Sequence, residues 1–226
     1  MRPVLIAAMS DSYLCNICGE RHDGAPLSWG PDAPDMWVDL PSTGREKRGE
    51  VGTDQAMIDE EHFFIRGRLE IPVVDTGDQF AWLVWVEVKV DDLFHMSERW
   101  TMEDRETTSP YEGRLANNLG VYSHPTLGLQ VRIHTRPVGE RPYIEVLEDH
   151  MLFHEQRDGI FITSSTRNRS YAAGRSVVKV VGRRGDRSID FDKSASHQVS
   201  QSEIGSDNPC SRHLYQLVAA KRCYEN

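Results

Sequence analysis

The sequence predicts an α+β fold: a mostly antiparallel sheet with few short helices and a loop-rich N-terminal region. Three observations indicate this fold. Apolar and polar residues alternate in several short segments, helical spacing of apolar residues is confined to short stretches, and prolines and glycines crowd residues 24–44. Because loops rather than helices join most of the apolar segments, an antiparallel sheet is favoured over a doubly wound parallel one.

The strand predictions follow from period-two alternation. Residues 59–75 are expected to form a strand pair or one bent strand, with a bulge or turn at Gly67. Residues 80–90 are the clearest strand, because their even-numbered positions are all apolar while the opposite face becomes charged near its end. Further strands are predicted at residues 127–135 and 142–147.

Two short helices are predicted beside these strands. Asp91 and Asp92 can cap and charge the start of a helix that reaches about Trp100. Residues 149–157 form the second helix. Residues 102–112, which follow the first helix, are expected to be a polar loop.

Charge and composition divide the chain of 226 residues into three parts. Residues 1–12 are expected to be a disordered leader, residues 13–160 an acidic α+β domain, and residues 161–226 a basic tail of low order. Residues 160–226 carry 11 Lys and Arg against 6 Asp and Glu, whereas residues 1–159 carry 15 against 29. The tail is either a genuine extension of the domain or an out-of-frame ending.

The same properties argue against several classes of protein. An acidic main domain repels phosphate backbones, so it is not expected to bind nucleic acid. The longest apolar run, residues 80–86, is far shorter than the roughly 20 residues of a membrane-spanning helix. No secretory signal is recognisable, which predicts a cytoplasmic protein with reduced thiols.

Metal chemistry is indicated by Cys15 and Cys18, which are separated by two residues and followed by Gly19. The glycine can bring its N–H close to a thiolate without a Cβ clash, as in a zinc knuckle, and His22 adds a third donor. Tetrahedral Zn²⁺ needs a fourth ligand, and the candidates are Asp23, His62, Cys210 and Cys223. We predict a zinc-knuckle loop region whose metal ligands are Cys15, Cys18, His22 and His62.

Several uses of this site stay open. A zinc ion enclosed by four protein ligands would fold a loop that has few apolar residues. A water in the fourth position would make the metal a Lewis acid and the protein a hydrolase. The two thiols could instead form a redox pair or remain unliganded, although Gly19 and the following prolines argue against a thioredoxin-like motif.

Other polar groups are weaker candidates. Glu61 and His62 invite a general-base interpretation, but neighbours on a strand point to opposite faces. His150 and His154 share one face of the second helix, yet they lack a cooperating carboxylate or thiol. We therefore expect these histidines to be surface residues, although His62 could still face the metal.

Two tryptophans and two arginines each allow two interpretations. Trp29 and Trp37 form either a partner-binding patch or, as we favour, a small satellite core that packs the knuckle onto the sheet. Arg136 and Arg141, each followed by proline, either anchor an anionic ligand or neutralise an acidic surface, and we favour the second role.

Residues 13–160 resemble a bacterial family known as domain of unknown function 2199. The resemblance rests on the Cys-x-x-Cys-Gly-x-x-His opening and on motifs that follow it in the family's order; these lie at residues 26, 32–37, 58–67, 69–73, 80–86, 136–137, 141–142 and 155–160. The activity of the family is not established, so the resemblance implies a fold unit and no reaction. Residues from Phe161 onward do not match the family's usual ending.

The sequence contains no Gly-rich phosphate loop, nucleophile elbow or HExxH motif. We therefore predict a protein-binding or regulatory module with a structural zinc site, whose partner is another protein. The alternative is a metal-dependent hydrolase with an open zinc site at the knuckle. Whether the chain is an enzyme is left open by the sequence.

Overall fold

The computed structural model describes the backbone of residues 12–14, 21–23, 27–164, 176–182 and 185–191, and the side chains of residues 27–161. The strands in this part of the chain are β1 Ser12–Leu14, β2 Arg21–Asp23, β3 Ser28–Trp29, β4 Gly49–Val51, β5 Gln55–Ile58, β6 His62–Pro72, β7 Gln79–Val88, β8 Tyr111–Leu115, β9 Gln130–His134, β10 Tyr143–Val146, β11 Phe161–Ser164, β12 Ser176–Gly182 and β13 Gly185–Phe191. The helices are α1 Asp35–Asp39, α2 Val90–Glu98 and α3 Met151–Asp158. Short 3-10 turns lie at Arg45–Lys47 and Arg105–Thr107.

Five strands close into a barrel. Strands β6 to β10 each pair antiparallel with the next, and β10 pairs in parallel with β6 through Tyr143 and Arg68. A closed ring with an odd number of alternating strands must contain one parallel pair, so the number of strands dictates this contact. We call the contact the β6–β10 seam. The predicted α+β, sheet-rich fold is confirmed, whereas closure into a barrel was not predicted.

The barrel interior is apolar. Strand alternation directs the odd-numbered residues of β6, β8 and β9 and the even-numbered residues of β7 and β10 inward. The inward side chains that are fully buried include Ile65, Leu69, Ile71, Val84, Val86, Val131, Ile133 and Ile144. Leu93 and Met96 of α2 and Leu152 of α3 are buried in the same cluster. The two short helices predicted from the sequence are therefore confirmed, and they extend the barrel core.

Strand β6 changes partner along one edge. Its first half pairs with β5, and β10 takes over at Arg68. At the change, a Cβ on Gly67 would lie 2.5 Å from Cδ1 of Ile144. Glycine is needed because the strands approach so closely here. The predicted bulge or turn at Gly67 was wrong, since the ladder between β6 and β7 runs straight through this residue.

A second apolar cluster covers the outer face of the barrel. Phe64 and Trp85, which point away from the interior, are buried by β5 and by Trp37 of α1, within the loop-rich segment. Asn117 fixes this segment: its Nδ2 donates to Ala33 O at 2.9 Å, and its Oδ1 accepts from the Trp85 N–H at 2.8 Å. Trp29 lies in the barrel cluster itself, so both tryptophans serve packing.

Two smaller sheets flank the barrel in sequence. Strands β1 and β2 form an antiparallel pair, and β11, β12 and β13 form a three-stranded antiparallel sheet. Residues 1–11 of the expected leader, and the cysteines of the tail, lie outside the described residues. The division of the chain at residue 160 stays a prediction.

Across the described residues, each helix is too short or too polar to span a membrane.

Candidate functional site

The predicted zinc ligands are only partly within the described residues. Cys15 and Cys18 lie outside them, and for His22 the backbone alone is described. His22 is paired with Tyr13 across β1 and β2, and Leu14 is paired with Arg21. The segment that carries both cysteines therefore connects two paired strands, with His22 near its end.

His62, the fourth predicted ligand, begins β6 and is oriented by a carboxylate. Its Nδ1 lies 2.7 Å from Oε1 of Glu87, and both side chains are about one-third exposed. This leaves Nε2 of His62 outside the pair. Among the residues whose side chains are described, no group of three or more potential ligands could hold a metal ion.

Glu87 is the functional neighbour that the sequence could not identify. Glu61 precedes β6 in a tight turn in which Asp59 and Glu60 both have positive φ, at 53° and 54°. The sequence argument that Glu61 and His62 do not cooperate agrees with the observed pairing of His62 with Glu87. Glu87 is the register partner of Phe64, two residues from His62 on the same face of β6. Only the β6–β7 register brings the two together.

Strands β7 and β8 separate beside this pair. Their ladder contains Val86 with Leu115 and Glu87 with Arg114, and it stops there because β7 ends and α2 begins at Val90. We call the opening the β7–β8 wedge and define it by residues 87–89 and 112–114. Had the ladder continued, Lys89 would lie opposite Glu112.

A cavity of about 410 Å³ lies at the wedge. Its lining combines the six wedge residues with Gln130, Val131 and Leu147 beyond β8. Pockets that bind small ligands typically measure about 300–1,000 Å³, so this volume suits a small molecule or a few residues of a peptide.

The charged side chains of the wedge are incompletely paired. Lys89 and Glu112 are exposed and have no ion-pair partner within the described part of the chain. Arg114 donates to Gly128 O at 3.1 Å but contacts no carboxylate there, because Glu87, its register partner, is bonded to His62. The cavity therefore presents two cationic groups and one carboxylate that lack counterions among the described residues.

A second group of charges is buried at the β6–β10 seam. Asp54 precedes β5 and Arg141 precedes β10; they form an ion pair in which both side chains are 5% exposed. The Arg66 N–H donates to Asp54 O at 2.8 Å. Burial, followed by the charge of Arg141, lowers the pKa of Arg66 to about 10. This cluster joins the two strands that share one edge of β6, so it is structural.

Buried and half-buried arginines also fix the loops around the seam. Arg105 is 2% exposed, stacks on Trp100 and donates to four backbone oxygens, those of Trp100, Arg136, Pro137 and Glu140. Arg136 binds both carboxylate oxygens of Glu70, at 2.8 and 2.7 Å. Both arginines pair with carboxylates, as in the favoured interpretation, but Arg141 does so in the interior and not on an acidic surface.

His150 and His154, the two histidines at α3, make local contacts. His150 accepts from the Leu152 N–H at the start of α3, and His154 lies 2.6 Å from Asp149. Beside them, the Tyr122 hydroxyl donates to the buried carboxylate of Glu155 at 2.9 Å and accepts from Trp82 Nε1 at 3.2 Å. The two histidines thus cap and pair their own helix instead of facing one another as ligands.

Comparison with known proteins bears on the barrel unit. A family model described as "Uncharacterized protein conserved in bacteria (DUF2199)" matches residues 14–160, which include every strand from β2 to β10. Comparisons with curated proteins and with solved structures returned no match. The matched range covers more than half of the chain and agrees with the expected resemblance. The chain belongs to the bacterial family of uncharacterized proteins DUF2199.

Proposed function

We propose that this chain is a protein-binding or regulatory module in which zinc has a structural role at the N-terminus. The observation that carries the proposal is the β7–β8 wedge, whose cavity of about 410 Å³ is bordered by charged groups that lack counterions in the described residues. A surface that leaves Lys89 and Glu112 beside one cavity, without ion-pair partners among the described residues, is suited to a partner that supplies the opposite charges.

The composition of the cavity favours binding over catalysis. Its lining consists of charged, amide and aliphatic residues, and none of the lining residues carries a hydroxyl or thiol nucleophile. The His62–Glu87 pair lies at its border, since Glu87 is one of the lining residues. Binding therefore needs no group beyond those in the wedge, whereas covalent catalysis by a hydroxyl or thiol would need that nucleophile from elsewhere.

The zinc part of the proposal is supported by two features. The paired strands β1 and β2 flank the segment with both cysteines, as a hairpin-borne knuckle requires. His62 is held by Glu87 through Nδ1, and zinc-bound histidines almost always give their second nitrogen to a carboxylate, carbonyl or water. We propose Cys15, Cys18, His22 and His62 as the ligands.

Elemental analysis of purified full-length protein tests the zinc site. We expect about one zinc ion per chain, and Cys18→Ser should lose it because a structural tetrahedral site needs all four ligands. Glu87→Gln should weaken zinc affinity by about 10- to 100-fold through His62. Cys223→Ser is the control and should retain the metal. Full zinc content in Cys18→Ser would refute the knuckle.

The second candidate function is a metal-dependent hydrolase, which is favoured by the position of the His62–Glu87 pair beside the cavity. The zinc-loaded protein should be assayed with activated esters and a phosphodiester, with Cys18→Ser as the control. We expect no zinc-dependent hydrolysis. Turnover that disappears in Cys18→Ser would establish the enzyme and displace the binding module.

A further inference from the structure

The backbone of the wedge has hydrogen-bonding groups available for a ligand. The Leu115 N–H donates toward β9, to Leu129 O, and the Ala116 N–H donates toward β7, to Trp85 O. Because these directions alternate along a strand, the peptide groups of Glu112 point toward the place that β7 has left. Within the described residues, no backbone hydrogen bond joins Glu112 to Lys89. The edge of β8 is therefore open at Glu112.

The side chains at the same place select for charge. Lys89 and Glu112 would form a cross-strand ion pair if β7 continued, but the strands diverge and leave both without a partner in the described part of the chain. Arg114 adds a second cation on the outer face of β8. A ligand between the strands meets cationic groups and a carboxylate together.

We propose that the β7–β8 wedge binds a short extended segment of a partner protein that carries an acidic and a basic residue. The main chain of the segment hydrogen-bonds the peptide groups of Glu112, as in recognition by strand addition. Its acidic side chain pairs with Lys89 and Arg114, and its basic side chain pairs with Glu112. This inference rests on the proposed protein-binding function and names the chemistry of the partner.

The spacing of the two charges in the ligand follows from strand geometry. Side chains at positions i and i+2 of an extended peptide lie on the same side. An acidic and a basic residue two positions apart can therefore face the wedge together, while Leu147 contacts an apolar side chain at the end of the cavity. A free amino acid could pair with the charged side chains of the wedge, but it could not add a strand to the open edge of β8.

A random heptapeptide library displayed on phage, selected against immobilised full-length protein, provides the probe. We expect enriched peptides to carry acidic and basic residues two positions apart. Dissociation constants of synthesised binders should rise at least about tenfold for Glu112→Lys and for Lys89→Glu, because each change replaces an attraction by a repulsion. Peptides in which the basic residue is made acidic should regain affinity for Glu112→Lys.

Two exposed residues outside the wedge supply matched controls, Glu103→Lys and Lys47→Glu. Both should bind the selected peptides within about twofold of the wild type. Thermal unfolding verifies that all four variants are folded. If the selected peptides bind the wedge variants as tightly as they bind the wild type, this inference is overturned, while the protein-binding function remains in place. Failure to enrich any peptide would contradict the protein-binding function itself.

Discussion

At the β6–β10 seam, the strand edge changes partner, and the charged residues Asp54 and Arg141 are buried and paired. At the β7–β8 wedge, the ladder stops, and Lys89 and Glu112 are exposed without ion-pair partners among the described residues. Asp54 and Arg141 are each 5% exposed at the seam. Lys89 and Glu112 are exposed at the wedge. At both sites the pairing along a strand edge of the same barrel changes. The two sites differ in whether residues of the described chain supply the next partner.

This comparison separates stability from binding. At the seam, removal of one charged side chain would leave its partner buried without a counterion in a medium of low polarity, which lowers the free energy of unfolding. At the wedge, water solvates both charges, so their loss from the folded chain matters little. The seam is complete within the chain, whereas the wedge offers its hydrogen bonds and charges to a ligand.

The largest expected effect is at the centre of the seam. Arg141→Met leaves Asp54 buried without its ion pair, and we expect the free energy of unfolding to fall by about 3–5 kcal/mol. Arg132→Met is the control, because the side chain of Arg132 is 42% exposed in its contact with Glu145. This substitution should lower the free energy of unfolding by only about 0–1 kcal/mol. Urea unfolding followed by circular dichroism measures both. Equal losses would erase the distinction between the seam and the exposed face.

A smaller, pH-dependent effect is expected at Glu70, which links β6 to the loop before β10. Burial raises the pKa of Glu70, but hydrogen bonds from Arg136 and Arg68 outweigh it, so the folded-state pKa lies below its ordinary value of 4.5. The stabilisation is therefore fully present above pH 4.5 and disappears as the pH falls through the folded-state pKa.

Glu70→Gln should lower the free energy of unfolding by about 1–2 kcal/mol at neutral pH, because it removes charge-assisted hydrogen bonds. The difference from the wild type should shrink in acid. Urea unfolding of both proteins across this pH range measures it, with Glu103→Gln, an exposed site, as the control. A difference that grows in acid would contradict the assigned pKa direction.

The smallest effect is expected at the wedge. Lys89→Gln and Glu112→Gln should each change the free energy of unfolding by no more than about 0.5 kcal/mol, since both side chains are exposed and unpaired in the described residues. The same variants should weaken peptide binding. A loss of stability comparable to that of Arg141→Met would show that Lys89 and Glu112 stabilise the fold, as the seam residues do.

Much of the fold could be predicted because its signals are local. Alternation along residues 80–90 identified β7, and acidic residues before an apolar helical pattern identified α2. Strand β8 was missed because Tyr111–Leu115 contains Glu112, Gly113 and Arg114, which resemble a loop. These residues are extended because β9 pairs with them, and no local propensity reports such a partner.

The candidate site was predicted less completely. His62 was identified from the sequence, which also argued against the adjacent Glu61 as its partner, but Glu87 was not identified as the carboxylate that orients it. Likewise, Arg141 indicated a neutralising role without indicating Asp54 as the partner. Both partners come from other strands, and their identity depends on register.

The sequence by itself determined the α+β class and the positions of the main strands and helices, because side-chain periodicity acts within a few residues. Tertiary structure alone decided that five strands close into a barrel, that a parallel contact between Arg68 and Tyr143 closes it, and that the β7–β8 ladder ends before Lys89. These outcomes depend on contacts between residues far apart in the chain. Only the folded ring determines which charges end buried in a seam and which remain open to a partner.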